Sequence, residues 1–217
     1  MTPGAANLDF IRNFRGVAAG ADEAGRGPLA GPLVGAAAVL TAEQCRVLQE
    51  LGLRDSKRMT PRRREAVFRA MCEMGVVWRA QAASVGTIAR LNVLGAALWA
   101  MEKSVLKLPV PADLVVVDGP YPLPGLSELK RSADAPDLFP RQIALTAADD
   151  LVPAVSAASV AAKVLRDRVM IALDRLYPRY GFARHKGYPT REHRDALRAF
   201  GLSPIHRREF CRQFLQL

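Results

Sequence analysis

Two adjacent carboxylates at the end of an apolar stretch constrain this sequence more than any other feature. Residues 16–21 are small and apolar, and they lead directly into Asp22 and Glu23. A Gly-Arg-Gly turn follows at 25–27, and a second apolar run begins at Leu33. The pattern predicts two strands joined by a loop, with the acidic pair where the first strand ends. Because buried carboxylates are costly unless they are paired or bind a metal ion, we expect the rest of the chain to supply a partner.

Charge composition favours a polyanionic partner. The chain has 217 residues, half of them hydrophobic, which is enough for one sizeable core. It carries 31 Lys and Arg against 21 Asp and Glu, a formal charge of +10. This excess favours nucleic acid before a membrane surface, although an arginine-rich solvated surface would give the same total.

Cysteine usage and the first residues exclude several classes of protein. The three cysteines are far apart and form no C-x-x-C pair, so neither a disulfide framework nor a zinc site is predicted. The first ten residues lack the basic start and apolar core of a signal peptide. No apolar run approaches the roughly 18 residues of a membrane span. We therefore expect a cytoplasmic protein with no membrane segment.

Strands and helices are predicted to alternate along the chain, which favours an α/β sheet layered with helices. Hydroxyl residues predict helix N-caps at Thr41, Thr60 and Ser84. Apolar runs predict three further strands, at 76–82, 114–117 and 142–146. Residues 1–14 are interpreted as a short tail, and no element is assigned to 121–141.

The longest predicted helix runs from Pro153 to about Leu176. Lys163, Arg166 and Asp167 fall on its polar side, and Lys163 and Asp167, four residues apart, are expected to pair. Two short basic helices are predicted after it, the first capped by Thr190 and the second beginning near Pro204. The buried line of the long helix is predicted to be Ala154, Ala158, Ala161, Leu165, Val169, Ala172 and Leu176.

Acidic residues end two of the predicted strands and precede the long helix. Asp22 and Glu23 end the first strand, Asp118 ends the strand at 114–117, and Asp149 and Asp150 lie just before the helix. If the strands are neighbours, these carboxylates meet in an oxygen-only cluster that suits Mg²⁺ or Mn²⁺ rather than zinc. Beside a basic surface, such a cluster suits two-metal hydrolysis of a phosphodiester. Taken singly, Asp22 or Asp118 could equally be a loop residue, and Asp149 and Asp150 would more often be helix caps than ligands.

A competing motif overlaps the first loop. Residues 25–30 formally match G-x-G-x-x-[GA], the dinucleotide-binding fingerprint, after a predicted strand. That fingerprint requires a helix to begin inside it, whereas Pro28 and Pro32 interrupt this stretch and the residues from Leu33 read as a strand. No second strand ends in an acid about 20 residues further on. The dinucleotide interpretation is therefore disfavoured.

The sequence resembles ribonuclease HII, the type 2 ribonuclease H family. The two longest matching blocks are 19–32 and 156–167, and the blocks follow the family's order over nearly the whole chain. The shorter blocks are Asp55-Ser56-Lys57, 117–119, 177–178, 185–190 and 206–207. The resemblance implies a ribonuclease H-like α/β fold with a central mixed five-stranded sheet flanked by helices. It further implies a catalytic domain over 15–180 and a C-terminal helical extension, 181–217, that contacts the duplex.

The family places four acids around two divalent ions, Mg²⁺ or Mn²⁺. The resemblance assigns these roles to Asp22, Glu23, Asp118 and Asp149, the last because the family's acid precedes the Ser-Ala-Ala-Ser helix by seven residues. Asp150 is the runner-up for that position. The family's usual Lys-Gly before this acid reads Ala-Ala at 147–148. Since adjacent strand residues point to opposite faces, both acids of the first strand reach one site only if the chain bends, and Glu23 can also offer its backbone carbonyl.

Substrate contacts are also implied by the resemblance. The family uses the turn Gly25-Arg26-Gly27 to recognise the ribose 2′-hydroxyl, and glycines there let the backbone approach the sugar closely. Tyr188 is implied to stack on the sugar that follows the ribonucleotide. Lys57, Arg58, Lys186 and the arginines after Arg191 are expected to hold phosphates. Read without the family, the turn would be an ordinary tight turn and the tyrosine a core residue.

The implied function is that of a metal-dependent endoribonuclease acting as a monomer. It would cut on the 5′ side of a ribonucleotide, leaving a 3′-hydroxyl and a 5′-phosphate. Its substrates would be RNA–DNA hybrids and single ribonucleotides in duplex DNA, so that cleavage initiates ribonucleotide removal. One alternative is a hybrid-binding protein with an impaired site, supported only by the changed residues before Asp149. Another is a type 3 ribonuclease H, whose extra N-terminal domain the residues before Val17 are too few to form.

Overall fold

A mixed sheet of five strands forms the centre of the computed structural model, which describes residues 3–54, 56–129 and 140–215. The spatial order is β3-β2-β1-β4-β5. The first three strands are antiparallel neighbours, whereas β4 runs parallel to both β1 and β5. The strands are β1 (Ala18–Ala24), β2 (Leu33–Val39), β3 (Val77–Ala83), β4 (Leu114–Asp118) and β5 (Arg141–Leu145). The predicted mixed five-stranded sheet is thus confirmed.

The pairing of the two central parallel strands positions the acids. Ala21 of β1 lies opposite Val117 of β4, and the next residues of the two strands are Asp22 and Asp118. Because the strands are parallel, both acids emerge at the same edge of the sheet. The fold therefore brings together the two strand ends that the sequence marks with carboxylates.

Helices surround the sheet, and most of their starts follow local sequence signals. The side chains of Thr41, Thr60, Ser84 and Thr190 each accept a hydrogen bond from the backbone N–H three residues on, so all four predicted N-caps are confirmed. The helices are α1 (Pro3–Asn13), α2 (Ala42–Glu50), α3 (Pro61–Glu73), α4 (Val85–Leu106), α5 (Pro124–Leu129), α6 (Ala148–Leu151), α7 (Pro153–Leu176), α8 (Phe182–His185), α9 (Arg191–Phe200) and α10 (Arg208–Cys211). Short 3₁₀ turns occupy 56–58, 178–180 and 212–214.

Helix α7 is the main support of the sheet. Its first half packs so closely on β1 that a Cβ at Gly20 would lie 2.2 Å from the backbone nitrogen of Val155. Residues 155–162 are buried on every side of the helix, which only small side chains allow. The predicted buried line was wrong in the second half, where Val169, Ala172 and Leu176 are exposed. The inward positions there are Arg166 and Met170, because the C-terminal segment covers that face.

Several local features differ from the sequence expectations. The tail predicted for 1–14 contains α1, whose Leu8 and Ile11 pack against the apolar cluster of β4 and β5. Helix α4, by contrast, follows the cap predicted at Ser84, and a break at Asn92, which has a φ of 56°, separates a short first part from a longer second part. The unassigned stretch 121–141 includes α5, whereas residues 130–139 and the predicted family residue Asp55 lie outside the described residues.

The C-terminal segment after α8 packs against the loop between β1 and β2. Leu197 and Cys211 share an apolar cluster with Leu29, and His206 forms a β-bridge with Ala30. The last predicted basic helix begins at Arg208, four residues beyond Pro204. Among the described helices, none combines the length and apolarity that a membrane crossing would need.

Candidate active site

Three of the predicted acids converge at one edge of the sheet. Asp22 comes from β1, Asp118 ends β4, and Asp149 lies in the short helix α6. One carboxylate oxygen from each residue lies within 4.8 Å of the other two. The Asp22 side chain is almost fully buried, at 1% exposure, and Asp149 is at 5%. The structure thus places together three residues that are separated by up to 127 positions in the chain.

Backbone groups hold these carboxylates in place. Asp118 Oδ1 accepts a hydrogen bond from the N–H of Ala148 at 2.9 Å, and Asp22 Oδ1 accepts one from the N–H of Glu23 at 2.7 Å. The Ser156 hydroxyl donates to the carbonyl of Asp149 at 2.7 Å and ties α6 to α7. The second oxygen of Asp22 is buried and has no hydrogen-bond partner among the described residues. That oxygen is therefore available to an external ligand.

Burial and like charge together make the cluster unfavourable for ionised carboxyls. Burial raises the pKa of Asp22 well above its usual range, and the neighbouring charges of Glu23 and Asp118 raise it further. Burial also raises the pKa of Glu23, an effect that Arg26 opposes. A divalent cation would reverse this penalty, since Mg²⁺ and Mn²⁺ prefer carboxylate oxygens. The donor set and the unpartnered Asp22 oxygen fit such an ion.

Glu23 and Asp150 lie outside the group of three. The Glu23 carboxylate lies 3.6 Å from the Arg26 guanidinium, at the mouth of the turn. Asp150 binds Arg58 through both of its oxygens, at 3.1 and 3.2 Å. The structure therefore pairs Asp150, the runner-up ligand, with a surface arginine and turns Asp149 toward the other acids.

The Gly-Arg-Gly turn lies beside this cluster, and the side chains of Arg166 and Arg207 contact it from its buried side. Gly25 has a φ of +105°, and a Cβ there would lie 2.2 Å from Nε of Arg166. Arg207 donates to the carbonyls of Gly25 and Arg26, at 2.7 and 3.0 Å. Since both carbonyls point inward to this guanidinium, the path of the turn is fixed before any ligand binds.

Tyr188 borders the same turn. A Cβ at Gly27 would lie 3.9 Å from Cε1 of Tyr188, whose side chain is 39% exposed. Lys163 Nζ and Arg166 Cζ each lie 5.7 Å from the centroid of its ring. The tyrosine thus presents a ring to solvent over two cations, next to the predicted sugar-binding turn.

The two predicted phosphate-binding lysines are placed differently. Lys57 is exposed, and its Nζ lies 3.7 Å from Oδ2 of Asp149, so it reaches the acidic cluster. Lys186 has a φ of 52°, and its ammonium donates to the carbonyl of Ala183 within α8. Lys57 therefore points to the site, whereas the side chain of Lys186 is directed to its own helix.

Comparison with known proteins identifies the family. Residues 19–213 match the family model of ribonuclease HII. The chain belongs to the ribonuclease HII family. It is 44% identical over 196 residues to a ribonuclease HII of Thermus thermophilus, covering 89% of this chain and 85% of that protein. The expected family and enzyme class, a ribonuclease H, are confirmed.

Solved structures share the fold. The ribonuclease H2 of Pyrococcus horikoshii is 28% identical, with a TM-score of 0.72 over 91% of this chain and 96% of that chain. The ribonuclease HII of Archaeoglobus fulgidus, solved in complex with PCNA, is 26% identical, with a TM-score of 0.70 over 88% of this chain and 91% of that chain. The ribonuclease H-like fold implied by the sequence is confirmed.

Two buried arginines of this ribonuclease H support the loop between β1 and β2. Arg166 is fully buried, although it was expected on the polar side of α7, and Arg207 is 3% exposed. Neither forms an ion pair with a described carboxylate; both instead donate to backbone carbonyls of the β1–β2 loop. Burial lowers the pKa of Arg207 to about 9, and the nearby charge of Arg166 contributes. Only their place in the family-like blocks 156–167 and 206–207 marked them in the sequence.

Proposed function

We propose that this ribonuclease H is a metal-dependent endoribonuclease that cuts the phosphodiester on the 5′ side of a ribonucleotide. Its proposed substrates are RNA–DNA hybrids and single ribonucleotides in duplex DNA. The observation that carries the proposal is the position of the three buried acids beside the Gly25–Gly27 turn and Tyr188. A cluster able to bind divalent ions thus adjoins a surface able to recognise a ribose.

Asp22, Asp118 and Asp149 are the proposed ligands of Mg²⁺ or Mn²⁺, with Glu23 as the fourth through its carboxylate or its backbone carbonyl. The buried, unpartnered oxygen of Asp22 supports this assignment. Two divalent ions held by these residues would activate the attacking water and stabilise the leaving oxygen. The chain itself fixes the directions of the carboxylates, through the backbone N–H groups of Glu23 and Ala148.

Recognition of the ribonucleotide is proposed to come from the Gly25–Gly27 turn. The absence of side chains at its two glycines lets a sugar approach the backbone, where the 2′-hydroxyl distinguishes RNA from DNA. Tyr188, beside Gly27, would stack on the following sugar, and Lys57 would meet a phosphate close to Asp149. The positive charges of Arg166 and Arg207 beneath this surface favour a polyanion, as does the formal charge of +10.

The changed residues before Asp149 do not disturb the acidic cluster. Ala147 adopts the left-handed conformation, with a φ of 58°, and begins the turn that leads into α6. The N–H of Ala148 donates to Asp118, so the backbone supplies a contact that needs no particular side chain. No feature of the described residues favours an impaired site.

The test is cleavage of an end-labelled DNA duplex that contains one ribonucleotide, with Mg²⁺, with Mn²⁺ or with EDTA. A nick on the 5′ side of the ribonucleotide that requires a divalent ion is the expected result. An all-DNA duplex of the same sequence is the control and should remain intact. Binding without any cleavage in either metal would contradict the proposed activity and favour the hybrid-binding alternative.

A further inference from the structure

All three histidines of the chain form one buried cluster in the C-terminal segment. The rings of His185 and His193 are stacked, with centroids 4.4 Å apart and an interplanar angle of 14°. Nε2 of His193 lies 3.0 Å from Nε2 of His206, and all three side chains are buried. The proposed hydrolysis uses none of these rings, so the cluster requires another explanation.

The hydrogen-bond partners determine where the protons lie. The backbone N–H of Ser203 can only donate, so Nδ1 of His206, at 2.9 Å, is an acceptor. Nε2 of His206 then carries the proton and donates to Nε2 of His193. Nδ1 of His193 must carry the other proton, and it donates to the carbonyl of Tyr188 at 3.0 Å. The Ser203 hydroxyl, 2.7 Å from Nδ1 of His206, then donates to that nitrogen as well. This arrangement, with both rings neutral, satisfies these contacts.

The same reasoning leaves no nitrogen for a metal ion. His185 accepts from the N–H of Gly187 through Nδ1, at 3.2 Å, and donates to the carbonyl of Tyr180 through Nε2, at 2.7 Å. With the bonds of His193 and His206, all six ring nitrogens have partners. The cluster is therefore a chain of hydrogen bonds rather than a ligand set.

This chain of hydrogen bonds ends at the proposed recognition surface, which consists of the Gly25–Gly27 turn and Tyr188. The Tyr188 carbonyl, which accepts from His193, also accepts from the N–H of Thr190 at 2.8 Å, and the Tyr188 N–H donates to the His185 carbonyl at 2.9 Å. The residue after His206 is Arg207, whose side chain holds the carbonyls of the Gly25–Gly27 turn. The paired rings of His193 and His206 thus connect Tyr188 to the residue that holds the turn.

We propose that His193 and His206 are positioning residues, which as neutral rings with fixed tautomers hold Tyr188 in register with the Gly25–Gly27 turn. The inference rests on the proposed function, because Tyr188 matters only if it recognises the nucleotide beside the ribonucleotide. It adds two residues to the determinants of specificity, both outside the acidic cluster. A preformed spacing between tyrosine and turn would favour the geometry of a ribonucleotide–DNA junction.

The surroundings keep the rings neutral. Burial lowers the pKa of His193 and of His206 to about 4, and it lowers the pKa of His185 as well. The charged groups that face the cluster are Arg184, Lys186 and Asp174, which act on His185, while His193 and His206 face the other rings. If His193 were protonated, its Nε2–H would face the Nε2–H of His206, and the hydrogen bond between the two rings would break. The contribution of these two neutral rings to the free energy of unfolding is therefore fully present above pH 6.5, and it is lost as the pH falls toward 4.

The first experiment compares His193→Phe with His193→Asn. Phe removes both hydrogen bonds but keeps a ring, whereas Asn can still donate to the Tyr188 carbonyl. For the single-ribonucleotide duplex, His193→Phe should raise KM about tenfold with a smaller change in kcat, as expected for loss of the hydrogen bond to the Tyr188 carbonyl. The effect on a long RNA–DNA hybrid should be smaller, and His193→Asn should recover most of the loss. Equal losses on both substrates, or no loss in a folded His193→Phe variant, would overturn the inference.

A double-mutant cycle tests whether the effect passes through Tyr188. In a Tyr188→Ala background, His193→Phe should have little further effect on KM for the single-ribonucleotide duplex. An undiminished effect there would overturn the inference, because His193 would then act elsewhere.

Nitrogen-15 NMR of the wild-type protein at pH 7 provides a readout independent of cleavage. The inference requires the Nε2–H tautomer at His206 and the Nδ1–H tautomer at His193, and it requires the His206 signal to change in His193→Phe. Charged rings or reversed tautomers would overturn it, even if His193→Phe fails to fold. A wild-type protein that cuts neither substrate would instead contradict the proposed function while the tautomers still stand.

Discussion

The acidic cluster and the proposed recognition surface beside it differ in whether their buried polar groups find partners within the protein. In the cluster, Asp22, Asp118 and Asp149 face one another, and one buried Asp22 oxygen has no partner among the described residues. Around the Gly25–Gly27 turn, Arg207 is matched with backbone carbonyls and the histidines with one another. Nη1 of the neighbouring Arg166 also lacks a hydrogen-bond partner among the described residues, so the matching is complete only around Arg207 and the histidines. The comparison supports the proposal that an external cation completes the acidic cluster.

Asp22→Asn should have the largest effect on activity. The change removes a charge and a buried oxygen from the proposed ion site, so we expect cleavage to fall by at least ~10³-fold while duplex binding is retained. Asp150→Asn is the matched control, because Asp150 is paired with Arg58 outside the cluster. Single-turnover cleavage and a binding titration measure the two effects. Retained cutting by Asp22→Asn, or an equal loss in Asp150→Asn, would refute the ligand assignment.

Arg207→Met should mainly damage the recognition surface. It leaves the carbonyls of Gly25, Arg26 and Gly31 without their buried donor, and we expect the free energy of unfolding to fall by about 3 kcal/mol. Urea unfolding measures this change. Arg208→Met, at the neighbouring exposed position, is the control and should change stability by no more than about 0.5 kcal/mol. Similar values for the two variants would contradict the view that Arg207 stabilises the turn through its carbonyls.

Asp22→Asn, which is expected to impair cleavage, should stabilise the fold when divalent ions are removed. In EDTA, Asp22→Asn relieves the repulsion within the cluster and should raise stability by about 2 kcal/mol, or Tm by about 4–8 °C for a chain of this size. Thermal unfolding with and without Mn²⁺ measures it, and Mn²⁺ should stabilise the wild type more than the variant. A wild-type protein that is more stable than Asp22→Asn in EDTA would contradict the proposed repulsion.

The pH dependence of that difference follows from the raised pKa of Asp22. A carboxyl whose pKa is higher in the folded state than in the unfolded state favours folding most below its unfolded value, and this advantage is lost as the pH rises. In EDTA, the Tm difference between Asp22→Asn and the wild type should therefore widen from pH 4 upward. A difference that is constant with pH would show that the substitution acts through packing rather than charge.

Local and topological signals explain what the sequence could predict. The caps at Thr41, Thr60, Ser84 and Thr190 depend on a side chain and a backbone N–H three residues away, so the sequence alone reveals them. The meeting of Asp22 and Asp118 needs only that their strands be parallel neighbours, which the structure bears out.

Burial imposed by distant segments explains what the sequence could not predict. Arg166 has the helical position of a surface residue, and it is buried because the carbonyls of Ala30, Pro32 and Lys186 cover it. The three histidines lie in the C-terminal segment itself, and they become buried only when that segment packs on itself and on the β1–β2 loop. The partners of Arg166 are backbone groups, which leave no trace in residue type, and the pairing of His193 with His206 joins residues 13 positions apart with no local signal.

Ala147→Gly should have the smallest effect, and it tests the one place where the acidic cluster shows local strain. Ala147 has a φ of 58°, which costs an alanine about 1 kcal/mol relative to glycine. Because glycine also loses more backbone entropy on folding, the expected net gain is only about 0.5 kcal/mol. Ala148→Gly is the control: Ala148 is buried and lacks the positive φ, so its replacement should destabilise the protein by about 1 kcal/mol. Urea unfolding distinguishes the opposite signs. Destabilisation by Ala147→Gly as large as that by Ala148→Gly would mean that the turn before Asp149 is not strained.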